Sequence, residues 1–119
     1  MKEERPKRKQ TIRRRIRTHN VNCASGKGGR SIAADVYDAA KRAILETVPK
    51  GKVGITFPEL LAEVSRRVPR RLFAGKSVAW YATTVKLDLE ARGLIARVPG
   101  ARPQRLVRKE RASGAGSAC

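Results

Sequence analysis

The side chains able to do bond chemistry are few and scattered. His19 is the single histidine of the chain, and Cys23 and Cys119 are its two cysteines. Acid–base or nucleophilic catalysis needs such groups within hydrogen-bond reach of one another. Cys23 has no base at a readable spacing, and His19 sits in a run of arginines. Asp88 and Glu90 are two residues apart on an expected helix, so they point to different sides and make no carboxylate pair. Asp88 is instead spaced to pair with Arg92, four residues on. No C-x-x-C pair or His/Cys spacing fits a metal. Neither enzymatic nor cofactor chemistry is therefore expected, and two distant thiols fit a reducing compartment.

Two glycine-lysine stretches invite a phosphate-loop reading. The run Ser25-Gly26-Lys27-Gly28-Gly29 looks like the start of the deviant phosphate-binding loop of ParA-like ATPases. That loop continues into Gly-Lys-Ser/Thr, whereas Arg30-Ser31 follows here, and no buried strand precedes it to hold a phosphate over a helix N-terminus. The second, Ala74-Gly75-Lys76-Ser77, has Arg70 where an upstream glycine is required. The first stretch reads as a flexible linker.

The chemistry the chain does carry in quantity is positive charge. Its 28 Lys and Arg against 10 Asp and Glu give a formal charge of +18 over 119 residues, densest at the two ends. Such a balance favours polyanions, nucleic acid first. Apolar residues make up 40% and aromatics 4%, so one small, aliphatic core is expected. No apolar run is long enough to span a bilayer or serve as a signal sequence, and a cytoplasmic placement follows as the expectation.

The elements that must position these cations are readable from period and punctuation. Residues 1–30 are too polar to offset their ordering entropy and read as a disordered basic arm and linker, with Ile12 and Ile16 spaced for a transient helix over 11–18. A first helix is expected over 33–47, with Ser31 near its start and Val36, Ala40, Ala43, Ile44 and Val48 facing the core. Tyr37 flanks that stripe with its hydroxyl toward solvent. Val53-Gly54-Ile55 is a short extended piece. Thr56-Phe57-Pro58-Glu59 is a capping box opening a second helix that buries Leu60, Leu61, Val64 and Val68 and stops at Pro69. Ser77 caps a third helix, which ends at Gly93. Residues 94–98 and 104–108 pair as a hairpin around a turn at 99–102. Leu94, Ala96, Val98, Leu106 and Val107 cover the helices there, while Arg97, Arg102, Arg105 and Arg108 point to water or a ligand. Residues 109–119 read as a disordered tail.

The third helix is apolar on two sides. Val78, Ala82, Val85 and Leu89 form one stripe, and Trp80, Thr84, Leu87 and Ala91 a second, roughly opposite. Ala79, Thr83, Lys86 and Glu90 remain as a narrow polar edge. A helix of this kind is sandwiched in a core or shared with a partner.

Three helices followed by a hairpin is the order of a winged helix-turn-helix, an α+β fold, over residues 31–108. Leu89-Glu90-Ala91-Arg92-Gly93-Leu94-Ile95 with Arg97 looks like the end of the recognition helix and the start of the wing in many bacterial winged-helix regulators. More closely, residues 36–108 resemble a family of small uncharacterised bacterial proteins with a winged-helix-like domain. VYDAAKRAIL, ITFPELLAEV, LFAGKSVAWYATTVKLDLEARGLIAR and PQRLVRK carry that resemblance. In winged-helix DNA binders the third helix enters the major groove and the wing touches adjacent backbone. Carried onto this chain, the resemblance implies Thr83 and Lys86 as groove-facing residues. It places Arg70, Arg71 and Lys76 on phosphates at the helix start and Arg97, Arg102 and Arg105 on the wing. So many arginines give affinity without sequence information.

The expected function is therefore double-stranded DNA binding, transcriptional or nucleoid-associated, mostly through phosphates. The alternative from another class is an interaction module without DNA binding, a homodimer through the Trp80/Leu87 stripe. RNA or ribosome association through the basic arm is a third option.

Overall fold

In the computed structural model, residues 14–20 and 29–109 are described. Cys23, Cys119, the 25–28 glycine run, Ile12 and the tail beyond 109 lie outside the described residues. The elements run β1 (Arg15–Arg17), β2 (Ser31–Ala33), α1 (Ala34–Thr47), β3 (Ile55–Thr56), α2 (Phe57–Arg67), α3 (Val78–Ala91), β4 (Ile95–Arg97) and β5 (Arg105–Arg108). The described residues form an α+β fold, with three helices and two small antiparallel sheets.

Local signals set the helix ends. Thr56 accepts a hydrogen bond from the Glu59 amide, and the Glu59 carboxylate reaches back to the Thr56 amide at 3.1 Å, closing the box that starts α2. That contact holds the Glu59 carboxyl below the usual range, with the Thr56 amide the larger cause and its hydroxyl the next. Ser77 Oγ accepts from the Trp80 amide at 3.0 Å and starts α3. At its end, the Leu94 amide bonds Leu89 O and the Gly93 amide bonds Glu90 O. This is the Schellman arrangement, and Gly93 meets its need for a positive φ at +82°.

The helices enclose one core. Val36, Ala40, Ala43, Ile44 and Val48 from α1 and its end, Leu60 and Val64 from α2, and Ala82, Val85 and Leu89 from α3 are all buried. Phe73 fills the space left by the turn between α2 and α3, and Ile95 and Leu106 close the core from the sheet. That sheet has the order β3-β5-β4: Ile55 opposes Leu106, and Arg97 opposes Leu106 from the other side. The hairpin therefore lies beside α3, with β3 as its third strand.

Three expectations change. Residues 15–17 are not part of a disordered arm or a transient helix; they pair with residues 31–33, Ile16 opposite Ile32. Ile32 is buried and Ile16 half-buried against the core. Thr18 continues the contact, its amide donating to Arg30 O at 2.8 Å while its hydroxyl accepts from the Arg30 amide at 2.9 Å. Gly29 makes this closeness possible, because a Cβ there would stand 2.0 Å from Thr18 O. Ser31 consequently lies in β2, and α1 starts at Ala34 behind the N-cap residue Ala33, which offers no side-chain cap. The second change is Tyr37, which is buried with its hydroxyl donating to Asp88.

The third change is the hairpin register. Ile95, not Leu94, leads the inward face, so the alternation runs one residue out of step with expectation. With a period of two, that slip on β4 turns Arg97 toward the helices rather than to water, and on β5 Arg108 shares the face of the inward Leu106.

Candidate nucleic-acid interface

The outward face of α3 is the natural place to look for a ligand, and it is uncharged. Ala79, Trp80 and Thr83 are exposed, with Thr84, Leu87 and Ala91 half-buried beside them. The Thr83 hydroxyl is already engaged, donating to Ala79 O at 2.8 Å. Trp80 keeps 43% of its surface. The second apolar stripe is thus exposed at Trp80 and half-buried from Thr84 to Ala91.

Lys86 does not belong to that face. It is 7% exposed, and its ammonium lies 2.8 Å from Glu90 Oε2 and 5.8 Å from the centroid of the Phe57 ring. Glu90 is bound from the other side by Arg97 on β4. One carboxylate thus holds two cations between α3, the start of α2 and the hairpin. An ion cluster around a buried carboxylate fixes how elements sit against each other; it holds Lys86 inside and ties the partly exposed Arg97 to Glu90. Arg105 is likewise occupied, donating to Gly54 O at 3.0 Å, and Arg108 donates to Leu45 O at 3.1 Å.

Of the expected DNA-contacting cations, those that stay exposed are Arg70, Arg71 and Lys76 on the turn between α2 and α3, and Arg102 in the hairpin loop. None of them pairs with a carboxylate among the described residues. The turn is held by backbone bonds from the Leu72 and Phe73 amides to Pro69 O and from the Lys76 amide to Phe73 O. Its buried anchor is Phe73, whose ring meets Tyr81 edge-on at 5.8 Å. Tyr81 in turn meets Trp80 at 4.8 Å. The exposed indole is therefore tied through two rings to the centre of the cationic turn.

A second polar centre lies at the opposite side of α3. Asp88 is fully buried. Its Oδ2 accepts from the Tyr37 hydroxyl and from Arg92 Nε at 2.7 Å, and its Oδ1 accepts from the His19 amide at 2.8 Å. Arg92 also reaches Arg17 O. Burial, reinforced by Asp88, pushes the Tyr37 hydroxyl well above the ordinary range for a phenol, while Asp88 raises Arg92 further still. The Asp88–Arg92 pair follows from its spacing. The Tyr37 and His19 partners do not, since they come from 51 and 69 residues away. An open groove of about 370 Å³ between α1 and α2, lined by Asp35, Asp38, Arg42, Glu46 and Arg67 among others, carries mixed charge and does not suit a polyanion.

The described span, from the latched strand β1 to the hairpin, coincides with one family model. A family of unknown function, DUF6958, matches residues 15–106. The chain belongs to this family. The DUF6958 match opens on the first residue of β1 and closes inside β5, so the β1–β2 hairpin and its Asp88 contact fall inside the family domain. The DUF6958 span thus begins earlier than the resemblance over 36–108 implied. Searches against curated proteins and against solved structures give no match. No group of His, Cys, Asp and Glu among the described residues could hold a metal ion. No helix among them is long and apolar enough to cross a membrane.

Proposed function

We propose that this chain is a winged-helix DNA-binding protein that holds duplex DNA chiefly through phosphates, in a transcriptional or nucleoid-associated role. The observation that carries this reading is the set of outward cations on the turn that opens α3 and on the hairpin loop. Arg70, Arg71 and Lys76 stand on the turn that leads into the helix, and Arg102 stands in the loop of the β4–β5 hairpin, without carboxylate partners among the described residues. The element order and the β3-β5-β4 sheet fit a winged-helix arrangement, in which α3 would be the groove helix and β4–β5 the wing. Electrostatics support it as well, since a chain of charge +18 concentrates around a polyanion at low salt.

The same geometry limits sequence reading. Base-edge recognition rests on forked polar side chains, and the α3 face offers the Thr83 hydroxyl, which its own backbone occupies, the half-buried Thr84 and the Trp80 indole, none of them forked. Binding through phosphates alone is tolerant of sequence. A salt titration of duplex binding tests this. Four cations on phosphates give a log–log slope of roughly −3.6, at about −0.9 per phosphate contact. Replacing Arg70, Arg71 and Lys76 by Ala should flatten it by roughly 2.7 units. An unchanged slope would refute the assignment of the contacts to this turn.

A second reading is favoured by the exposure of Trp80 beside half-buried Leu87: α3 as a homodimer surface in a non-DNA-binding interaction module. Leu87→Glu should then convert dimers to monomers in sedimentation. A monomeric parent protein refutes it.

A further inference from the structure

Trp80 poses a question that phosphate binding leaves unanswered. A large apolar ring exposed at the start of a helix loses hydrophobic stabilisation, yet this one is held in place rather than left loose. Its backbone amide is fixed by the Ser77 cap, and its ring rests edge-on against Tyr81, which rests edge-on against buried Phe73. A T-shaped contact covers at most one face of the outer ring, and Trp80 keeps 43% of its surface exposed. Around the same anchor stand Arg70, Arg71 and Lys76. A propped aromatic plane next to cations that meet no carboxylate among the described residues is the combination that binds a nucleic acid strand with open bases: the base stacks and the neighbouring phosphates are neutralised. The rest of the α3 face, Ala79, Thr83 and Leu87, is small or apolar and suits a base plane better than a base edge.

We propose that Trp80 is a base-stacking residue, and that the preferred ligand of the α3 face is DNA with unpaired bases, such as a melted or bubbled segment, rather than fully paired duplex. This rests on the DNA-binding reading above. It deepens that reading by naming the form of DNA. A base is the occupant that charge favours over a second copy of the chain, because apposed α3 faces would bring two sets of Arg70, Arg71 and Lys76 into one interface.

Trp80 is the only tryptophan in the chain, so its emission reports the contact directly. The full chain is titrated with a fully paired 20-mer, the same 20-mer with a central unpaired bubble, and the single strand. Binding is followed independently by the anisotropy of a dye at the far end of each DNA. Stacking predicts strong quenching by bubbled and single-stranded DNA and tighter binding of these than of the paired form. Trp80→Ala should erase most of that preference, on the order of tenfold, whereas Trp80→Phe should keep part of it. Far-UV circular dichroism melts show whether both variants stay folded. Binding seen by anisotropy without quenching, or an equal affinity loss for all three DNAs, overturns the stacking proposal while leaving phosphate binding intact. Absence of anisotropy change with every DNA overturns the parent reading itself. A blue shift that grows with protein concentration in the absence of DNA assigns the indole to a second copy and overturns the proposal as well.

Discussion

Asp88 is the residue whose removal should cost the fold most per atom changed. Its carboxylate takes three donors, the Tyr37 hydroxyl, Arg92 Nε and the His19 amide, from a position without solvent exposure. Asp88→Asn keeps the shape but turns one acceptor into an amide donor, so at least one charge-assisted bond is lost, about 2 kcal/mol. Asp88→Ala removes all three and leaves the Tyr37 hydroxyl buried without its acceptor. Removing one partner of a buried ion pair typically costs about 3–5 kcal/mol. Arg92 keeps 39% of its side chain exposed and can return to water, which places the Ala variant near the lower end, about 3 kcal/mol. Against a total of about 5–15 kcal/mol for a typical domain, that is a large share. Urea unfolding followed by circular dichroism gives the difference, and a double-mutant cycle with Tyr37→Phe isolates the pair. Hydrogen exchange at the His19 amide reports the strand contact separately. A loss under about 1 kcal/mol for Asp88→Ala, with the His19 amide still protected, would refute the view that this carboxylate ties β1 to the core.

Two other outcomes follow from the same framework. The folded-state titration of Tyr37 lies above its ordinary value of 10.0, with burial the first cause and Asp88 the second. The fold therefore binds the phenolic proton more tightly than the unfolded chain does. That contribution is complete below pH 10 and is lost as pH rises toward the folded value. Stability should fall above pH 10 less steeply in Tyr37→Phe than in the parent, and in Tyr81→Phe, where Tyr37 is the remaining tyrosine, phenolate absorbance should appear late. Parallel alkaline curves for parent and Tyr37→Phe would contradict it. Gly29→Ala drives a methyl into Thr18 O, so the β1–β2 pairing must open; exchange at the Thr18 amide should accelerate at least tenfold, equivalent to about 1.4 kcal/mol. Unchanged protection would show that the backbone accommodates the methyl.

Much of the architecture was legible because its signals are local. The capping box at Thr56, the Ser77 cap, the Gly93 stop and the period of the α1 stripe each depend on residues within a few positions. What failed depended on distant neighbours. Lys86 and Glu90 read as a polar edge because charge is expected outside; their burial requires Arg97, brought from β4, and the Phe57 ring from α2. Strand β1 has three residues, two of them arginines, and no local signal beyond the lone Ile16 between charges. The hairpin register turned on whether Leu94 or Ile95 enters the core, a choice two adjacent apolar residues leave open. Of the candidate DNA contacts, the positions that keep their outward direction are those on turns and the free helix face: Arg70, Arg71, Lys76, Thr83 and Arg102.

The seating of β1 also decides where the chain can be shortened. Beginning the polypeptide at Arg14 leaves every contact described here in place while discarding the positive residues upstream. Beginning it at Ser31 takes away a strand, uncovers Ile32 and deprives Asp88 of a donor. Weakened DNA binding after the shorter cut would speak of charge; after the longer one it would speak of a damaged domain.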